Sequence, residues 1–466
     1  MAHDTHADDA AAIEFGTDGW RATLDLFTEP RVRMVGQAAA SYLRDEGETG
    51  PVLVGYDARD TSRRFAEALA DVLTANGFDV TLPTRDTPTP VVAWTARNEG
   101  YAAALQITAS HNPPEYNGVK FLAGDGAPTL PEVTEQIEAN LAEPNTLPDD
   151  EHGAVTETDL IEPYLDHALE YADADLEGLT VAHDAMHGSG RGVTDELLRR
   201  AGAETVTLRD ELDPEFGGGA PEPEAENVEE LIELVASGEA SVGFVNDGDS
   251  DRIGVVTPER GFLDPNLFLA AMYDFLLESR SGPVVRTVST SSIVDRVAEA
   301  HDEEVYETAV GFKWVAQALA EHDALFGGEE SGGFGLTDHV RNKDGVLLSL
   351  LAAAAEHEEP LDARVDRLLA EHGEIHQGRI SVDCPDDRKD PVLGALEEQI
   401  PGSVAGEPVD GVNTIDGFKL RLEDGTWLLV RPSGTEPKLR VYAEAGSTDR
   451  VEELLASGRE LVEPLV

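Results

Sequence analysis

Three times along this 466-residue chain an apolar, strand-length run enters a polar turn and then a helical stretch. The runs are Val52-Leu-Val-Gly-Tyr-Asp57, Thr180-Val-Ala-His-Asp184 and Pro283-Val-Val-Arg-Thr287. Helices are predicted over 63–76, 193–201 and 293–300, each followed by another short apolar strand. This alternation demands α/β domains with mainly parallel sheets, whose ligand loops leave the carboxyl ends of strands. Later in each unit a further apolar segment runs into an unusual loop: Thr108–Pro113, Asn246–Arg252 and Gly328–Gly333. Three related domains are expected to aim these loops into one cleft.

After residue 373 the pattern changes. Segments 376–384, 417–423, 426–431 and 439–444 read as short strands, with Asp424-Gly425 as a hairpin turn. The predicted fold class is α/β, with three similar mixed or mainly parallel α/β domains over 1–150, 151–257 and 258–372. A C-terminal α+β domain over 373–466 completes a four-domain arrangement around a central cleft. The apolar run from Val346 to Ala355 is too short to cross a bilayer and reads as a buried helix.

The first loop follows the apolar run Tyr101–Ile107 and presents Ser110 on a turn stiffened by Pro113 and Pro114. Thr108, His111 and Asn112 surround the hydroxyl with hydrogen-bonding groups. A G-x-S-x-G elbow needs glycine where Thr108 and Asn112 stand, which disfavours acyl transfer. The serine reads as a nucleophile for a phosphoryl group.

In the second loop, Asp247, Asp249 and Asp251 alternate around Gly248 and offer the hard oxygen ligands that suit Mg²⁺. An EF-hand would need Gly at Arg252 and Glu at Pro258, so that reading fails. A phosphatase with an aspartate nucleophile uses a similar string, but the serine loop would then have no role. The fourth domain carries Arg431-Pro-Ser433-Gly434-Thr435, whose hydroxyls, backbone N–H groups and guanidinium form a phosphate cradle. Arg21 lies beside a glycine-rich turn, and Lys120 follows the serine loop. Both are expected to contact phosphate. Lys120 also serves as a proton carrier if burial or cationic neighbours lower its pKa.

With 93 Asp and Glu against 34 Lys and Arg, the formal charge is −59. Such a surface repels itself in dilute salt, which points to a salt-rich, halophilic cytoplasm where the Debye length is short. Apolar residues make up 41% of the chain in element-length runs, which excludes disorder as the cause of the acidity. Neither nucleic acid nor membrane is an expected partner. The lysines are Lys120, Lys313, Lys343, Lys389, Lys419 and Lys438, and most fall in or beside the polar loops, which favours an anionic substrate. Cys384 is the single cysteine, excluding an internal disulfide and a cysteine-rich zinc site. The amino terminus has no basic segment followed by an apolar one, so a cytoplasmic location is expected.

Taken in order, Gly16-Thr-Asp-Gly-Trp-Arg21, Thr108-Ala-Ser-His-Asn-Pro113, Asp247-Gly-Asp-Ser-Asp-Arg252, Gly328-Glu-Glu-Ser-Gly332 and Arg431-Pro-Ser-Gly-Thr435 resemble the α-D-phosphohexomutase superfamily. The resemblance covers nearly the whole chain. It implies that Ser110 carries a phosphoryl group and that Asp247, Asp249 and Asp251 hold one Mg²⁺ together with that phosphoserine. It further implies sugar contacts from Glu329 and Ser331, and a phosphate grip from Arg431, Ser433, Gly434 and Thr435. Arg21, His111, Lys120 and Arg252 become the catalytic candidates around Ser110, Lys120 as the acid/base group. Hexose phosphates are then the substrates, with a hexose 1,6-bisphosphate as intermediate and activator.

Several phosphomannomutase-type members have Met or Gln at the second variable position of the third-domain loop and His at its end. Here Gly333 removes that imidazole, and Lys313 is expected to contact the sugar or its phosphate instead. The Glu-Glu-Ser form leans toward glucose phosphates, followed by dual glucose and mannose specificity, then glucosamine phosphate. Two readings from other classes stay open: the aspartate-nucleophile phosphatase and a non-catalytic sugar-phosphate-binding protein.

Overall fold

The computed structural model describes residues 5–16, 18–434 and 436–466. Its strands form four sheets. The first contains β1 (Trp20–Thr23), β2 (Val52–Tyr56), β3 (Val80–Pro83), β4 (Ala103–Ile107), β5 (Tyr116–Ala123) and β6 (Val155–Thr158), in the order β1-β5-β4-β2-β3-β6. The second contains β7 (Thr180–Asp184), β8 (Glu204–Leu208), β9 (Val242–Asn246), β10 (Ile253–Thr257) and β11 (Gly261–Phe262), in the order β11-β10-β9-β7-β8. In the third, β12 (Val284–Thr287), β13 (Val305–Thr308), β14 (Phe326–Gly328) and β15 (Phe334–Leu336) run β13-β12-β14-β15.

One topology recurs in all three. A strand with parallel neighbours on both sides is followed by a strand that enters the same sheet beside it and then by an antiparallel return strand: β4 into β5, β9 into β10, β14 into β15. The serine, aspartate and Glu-Glu-Ser loops are the three reversals. Every residue of β2, β4 and β9 is buried, as expected where helices cover both faces of a sheet.

The fourth sheet is wholly antiparallel. It comprises β16 (His376–Asp383), β17 (Ser403–Val404), β18 (Glu407–Asn413), β19 (Phe418–Leu422), β20 (Trp427–Pro432) and β21 (Lys438–Ala445), in the order β16-β21-β20-β19-β18-β17. The first three domains share a continuous apolar core running from Leu53 and Val92 through Leu197 and Phe244 to Phe268 and Leu350. The fourth has its own core and meets the third across a small apolar seam of Val288, Val310, Trp427, Leu429 and Tyr442.

The sheets overrun the boundaries expected from sequence. Val155–Thr158 pairs with β3 in the first sheet, beyond residue 150, and Gly261–Phe262 pairs with β10 in the second, beyond residue 257. Strand propensity marks the strand but not its partner, so these edge additions carry no local signal. Arg21 lies on β1, paired with Gly118, directly after the glycine-rich turn. Strand β18 escaped the reading because Pro408, Asp410 and Gly411 dilute its pattern. The helix Gly345–Glu358 confirms the apolar run as buried, and no helix among the described residues is long and apolar enough to cross a membrane.

Candidate active site

Ser110 is fully buried and sits in the left-handed backbone region, φ 52°, a conformation that a non-glycine residue holds only when its surroundings impose it. The restraints are specific. Its N–H donates to Thr108 Oγ1 at 2.8 Å, and that hydroxyl donates to Asp57 Oδ2 at 2.7 Å. Arg59, paired to Asp57 at 3.0 Å, donates to the carbonyl oxygens of Ser110, Asn112, Pro113 and Tyr116. The ring of Phe216, from the second domain, covers this guanidinium with its centroid 4.9 Å away. One buried cation thus shapes the whole serine loop.

The loop meets the aspartates directly. Ser110 Oγ donates to Asp247 Oδ2 at 2.6 Å, across 137 positions of sequence. Gly248 permits this approach, since a Cβ there would lie 2.6 Å from the Ser110 carbonyl oxygen. On the other side Thr89, the first residue of the helix Thr89–Glu99, fixes Asp249 through both its backbone N–H (2.9 Å) and its hydroxyl (2.6 Å). Ligand oxygens of Asp247, Asp249 and Asp251 lie within 4.8 Å of one another. Asp249 Oδ1 and Asp251 Oδ1 are buried with no hydrogen-bond partner. Buried carboxylate oxygens with no donor are costly, and a hard cation satisfies them. The residues present therefore fit Mg²⁺.

Two lysines balance the triad. Lys120 Nζ lies 2.8 Å from Asp249 and 2.6 Å from Asp251, and Lys343 Nζ lies 3.0 Å from Asp251. Both reach Asp18, at 3.2 and 3.1 Å, and Arg21 joins it at 2.9 Å. Burial alone would lower the Lys120 pKa, but the carboxylates of Asp18, Asp249 and Asp251 override it and hold the amine well above its ordinary value. This corrects the condition under which Lys120 was expected to carry protons: its neighbours are anions, and they keep it charged. Burial would raise Asp249, but Lys120 pulls it low; Asp247 is pushed up by burial and by the other two aspartates, which outweigh the pull of Arg252.

His111 Nδ1 lies 3.3 Å from Ser110 Oγ. Burial, then the nearby Arg252 and Arg21, hold the imidazole neutral. Nε of Arg21 and Nε of Arg252 are buried with no hydrogen-bond partner, two unsatisfied donors in the neighbourhood of the serine. Arg252 also bridges by its backbone to Gly333, which brings the second and third loops together.

Model profiles for all four domains of the phosphoglucomutase/phosphomannomutase type match in order: the alpha/beta/alpha domains I over residues 12–147, II over 162–261 and III over 264–372, and the C-terminal domain over 380–461. The chain belongs to the α-D-phosphohexomutase superfamily. Its relatives include a probable phosphoglucosamine mutase of Methanopyrus kandleri, 35% identical, with 94% of this chain and 95% of that protein covered. A phosphoglucomutase/phosphomannomutase of Thermococcus kodakarensis is 31% identical, over 96% of this chain and 98% of its own length. Among solved structures, a putative phosphomannomutase from Thermus thermophilus superposes with a TM-score of 0.84 at 32% identity, covering 97% of this chain and 99% of that one.

The remaining predicted residues of this phosphohexomutase lie on the third and fourth domains, and those among the described residues have no hydrogen bond to Ser110. Glu329 is buried, accepts the Gly311 N–H at 2.8 Å, and is pushed up to about 7 by that burial. Ser331 is exposed, and Lys313 is half-buried without an ion pair among the described residues. A Cβ on Gly333 would lie 2.5 Å from Lys343 Cδ, so the Lys343 stem fills the space beside Gly333. In the cradle, Arg431 donates through Nε to Asp416 at 2.9 Å, and Lys389 Nζ holds the carbonyls of Ser433 and Glu436 at 2.6 and 2.7 Å. Gly434 is exposed; Thr435 lies outside the described residues.

Sequence reading missed Asp18, Asp57, Arg59, Thr89, Lys343 and Asp416. Asp57 and Arg59 had a visible signal, a polar turn at the carboxyl end of β2, where α/β sheets place ligand loops. The others make contacts far away in sequence: Asp18 with Lys343, Thr89 with Asp249, Lys343 with Asp251 and Asp416 with Val310.

Proposed function

We propose that this phosphohexomutase interconverts hexose 1-phosphates and hexose 6-phosphates with Ser110 as phosphoryl carrier. The observation that carries the reading is the 2.6 Å contact between Ser110 Oγ and Asp247, within a carboxylate cluster that has two unsatisfied oxygens. The phosphoryl group leaves Ser110 Oγ for the free hydroxyl oxygen of a hexose monophosphate, the hydroxyl's proton passes by way of the enzyme to Ser110 Oγ, and a hexose 1,6-bisphosphate and an unphosphorylated serine result. After the bisphosphate turns over, Ser110 Oγ takes the other phosphoryl group and the product hydroxyl regains a proton. Asp247, Asp249 and Asp251 would hold Mg²⁺, which supplies neutralisation of the charge on the transferring group.

The chain's own residues divide the remaining work. Arg21, Arg252, Lys120 and Lys343 supply preorganised positive charge around the reacting phosphoryl group. Neutral His111 is positioned to exchange a proton with Ser110 Oγ. Glu329, Ser331 and Lys313 face the sugar, and Arg431, Ser433, Gly434 and Thr435 take the phosphate that is not reacting. A hexose 1,6-bisphosphate activates by loading Ser110.

Ser110→Ala tests the assignment. Turnover is expected to vanish while sugar-phosphate binding persists, and intact mass with phosphopeptide mapping should find one acid-stable phosphate on Ser110 of the parent protein. An acid-labile phosphate on Asp247 would establish the phosphatase instead, and no phosphate with no turnover a binding protein.

For the sugar, the Glu-Glu-Ser loop favours glucose, while relatives named phosphoglucosamine mutase make glucosamine an equal candidate beside one named phosphoglucomutase/phosphomannomutase. Comparing kcat/KM for glucose, mannose and glucosamine 1-phosphates, with bisphosphate present, decides between them.

A further inference from the structure

One oxygen of Asp416 serves two domains. Asp416 Oδ2 accepts from Arg431 Nε at 2.9 Å and from the backbone N–H of Val310 at 3.1 Å. The first partner belongs to the phosphate cradle of the fourth domain. The second belongs to the third-domain loop that leads into the helix Phe312–His322 and so sets the position of Lys313. The next N–H along, that of Gly311, is taken by Glu329 Oε1 at 2.8 Å. Two consecutive backbone donors are therefore gripped by two carboxylates, one from each domain.

The backbone next to Asp416 leaves it little freedom. Gly417 has φ 81°, and a Cβ there would lie 2.2 Å from the Val430 carbonyl oxygen and 2.8 Å from Arg431 Cα. Only glycine lets the turn between β18 and β19 press this closely onto β20. Asp416 consequently sits over Arg431 with its side chain only 15% exposed, and Arg431 is 11% exposed. The same turn is tied to the third domain on its flanks, where Asn413 Nδ2 and Lys419 Nζ both donate to Glu307 at 2.5 Å. Among the described residues the terminal nitrogens of Arg431 make no hydrogen bond, so Asp416 takes the Nε and leaves the Nη groups for an anion.

We infer that Asp416 is a positioning residue: it aims the Nη groups of Arg431 at the substrate's non-reacting phosphate and, through Val310, locks that aim to the loop that places Lys313 and Glu329 around the sugar. Phosphate recognition by the fourth domain and sugar recognition by the third are thereby coupled through one carboxylate. The inference rests on the assignment of Arg431 to substrate phosphate, and Arg431→Ala tests that assignment separately.

The experiment compares Asp416→Ala, Asp416→Asn, Arg431→Ala and the double variant Asp416→Ala/Arg431→Ala, measuring kcat and KM for glucose 1-phosphate with bisphosphate activator, and Ser110 phosphate by intact mass. Loss of a charge-assisted hydrogen bond predicts a KM rise of about tenfold or more for Asp416→Ala, with kcat nearly unchanged and Ser110 still phosphorylated. Asp416→Asn keeps an acceptor oxygen and should fall between; it also reports if the alanine variant does not fold. The double variant should be little worse than Arg431→Ala alone, because Asp416 acts through Arg431. A KM for Asp416→Ala and Asp416→Asn within twofold of the parent, alongside a raised KM for Arg431→Ala, overturns the coupling. Full additivity in the double variant overturns it too. An unchanged KM for Arg431→Ala removes the underlying phosphate assignment and this inference with it.

Discussion

The Arg59 guanidinium donates to the Ser110 carbonyl at 2.9 Å, and the carbonyls of Asn112 and Pro113 in the same loop and of Tyr116 at the start of β5 converge on it. Ser110, the proposed phosphoryl carrier, is thus held by a buried cation behind its loop. Arg59 and its partner Asp57 are both almost inaccessible, so the pair is one whose disruption leaves an uncompensated buried charge.

Arg59→Met should therefore lower both stability and turnover. Removing one partner of a buried pair costs about 3–5 kcal/mol, and a loop displaced by an ångström costs about 100-fold in rate. Denaturant unfolding and kcat should both record the change. Wild-type kcat in a destabilised protein would show that the serine loop keeps its shape without this cation.

Chelation of divalent metal should abolish turnover without unfolding the chain. Lys120 and Lys343 pair with Asp249 and Asp251, so removal of an ion is not expected to leave the triad as bare like charges. Added Mg²⁺ should raise the melting midpoint in proportion to the logarithm of its concentration once the site saturates. Cooperative unfolding on EDTA treatment would contradict the role given to the lysines.

Stability should fall between pH 5 and pH 8, partly through Glu356. Burial pushes its carboxyl up to about 7, while its side chain accepts the Leu361 N–H at 2.7 Å. Because the folded pKa lies above the unfolded value of about 4.3, the folded state binds the proton more tightly. The contribution is complete below the unfolded pKa and is lost as pH rises through about 7. Its size is at most about 4 kcal/mol. Glu356→Gln should flatten this part of the pH–stability curve, which unfolding midpoints across the range will register.

The charge of −59 predicts that stability rises with KCl over the molar range. Thermal midpoints at 0.1 and 2 M KCl, on the orders of ionic strength where the Debye length falls from about 10 Å to about 3 Å or less, provide the measurement. A midpoint that is flat or falls with KCl would remove the inference of a salt-rich setting.

The serine and aspartate loops were legible in the sequence because each is contiguous and each follows a buried strand, so residue type and local context coincide. Ser110, Asp247, Asp249 and Asp251 needed no knowledge of the fold to be singled out. Their companions did. Lys343 reaches Asp18 across 325 positions, Thr89 reaches Asp249 across 160, and Asp416 reaches Val310 across 106. Nothing in a lysine, a threonine or an aspartate by itself distinguishes these from surface residues. The condition set for proton transfer by Lys120, a lowered pKa, is not met for the same reason, since the shift depends on which charges lie beside the amine.

Strand and helix periodicity, turn chemistry and loop composition are encoded over a few neighbouring residues, and from them the chain alone determined its repeated α/β grammar, its antiparallel last domain and its phosphoryl-transfer motifs. Which strand closes each sheet, which cation neutralises which carboxylate, and which carboxylate joins the third domain to the fourth were decided only by the tertiary structure. Those are distances between residues remote in sequence, and electrostatic and hydrogen-bond energies depend on distance and burial rather than on order along the chain.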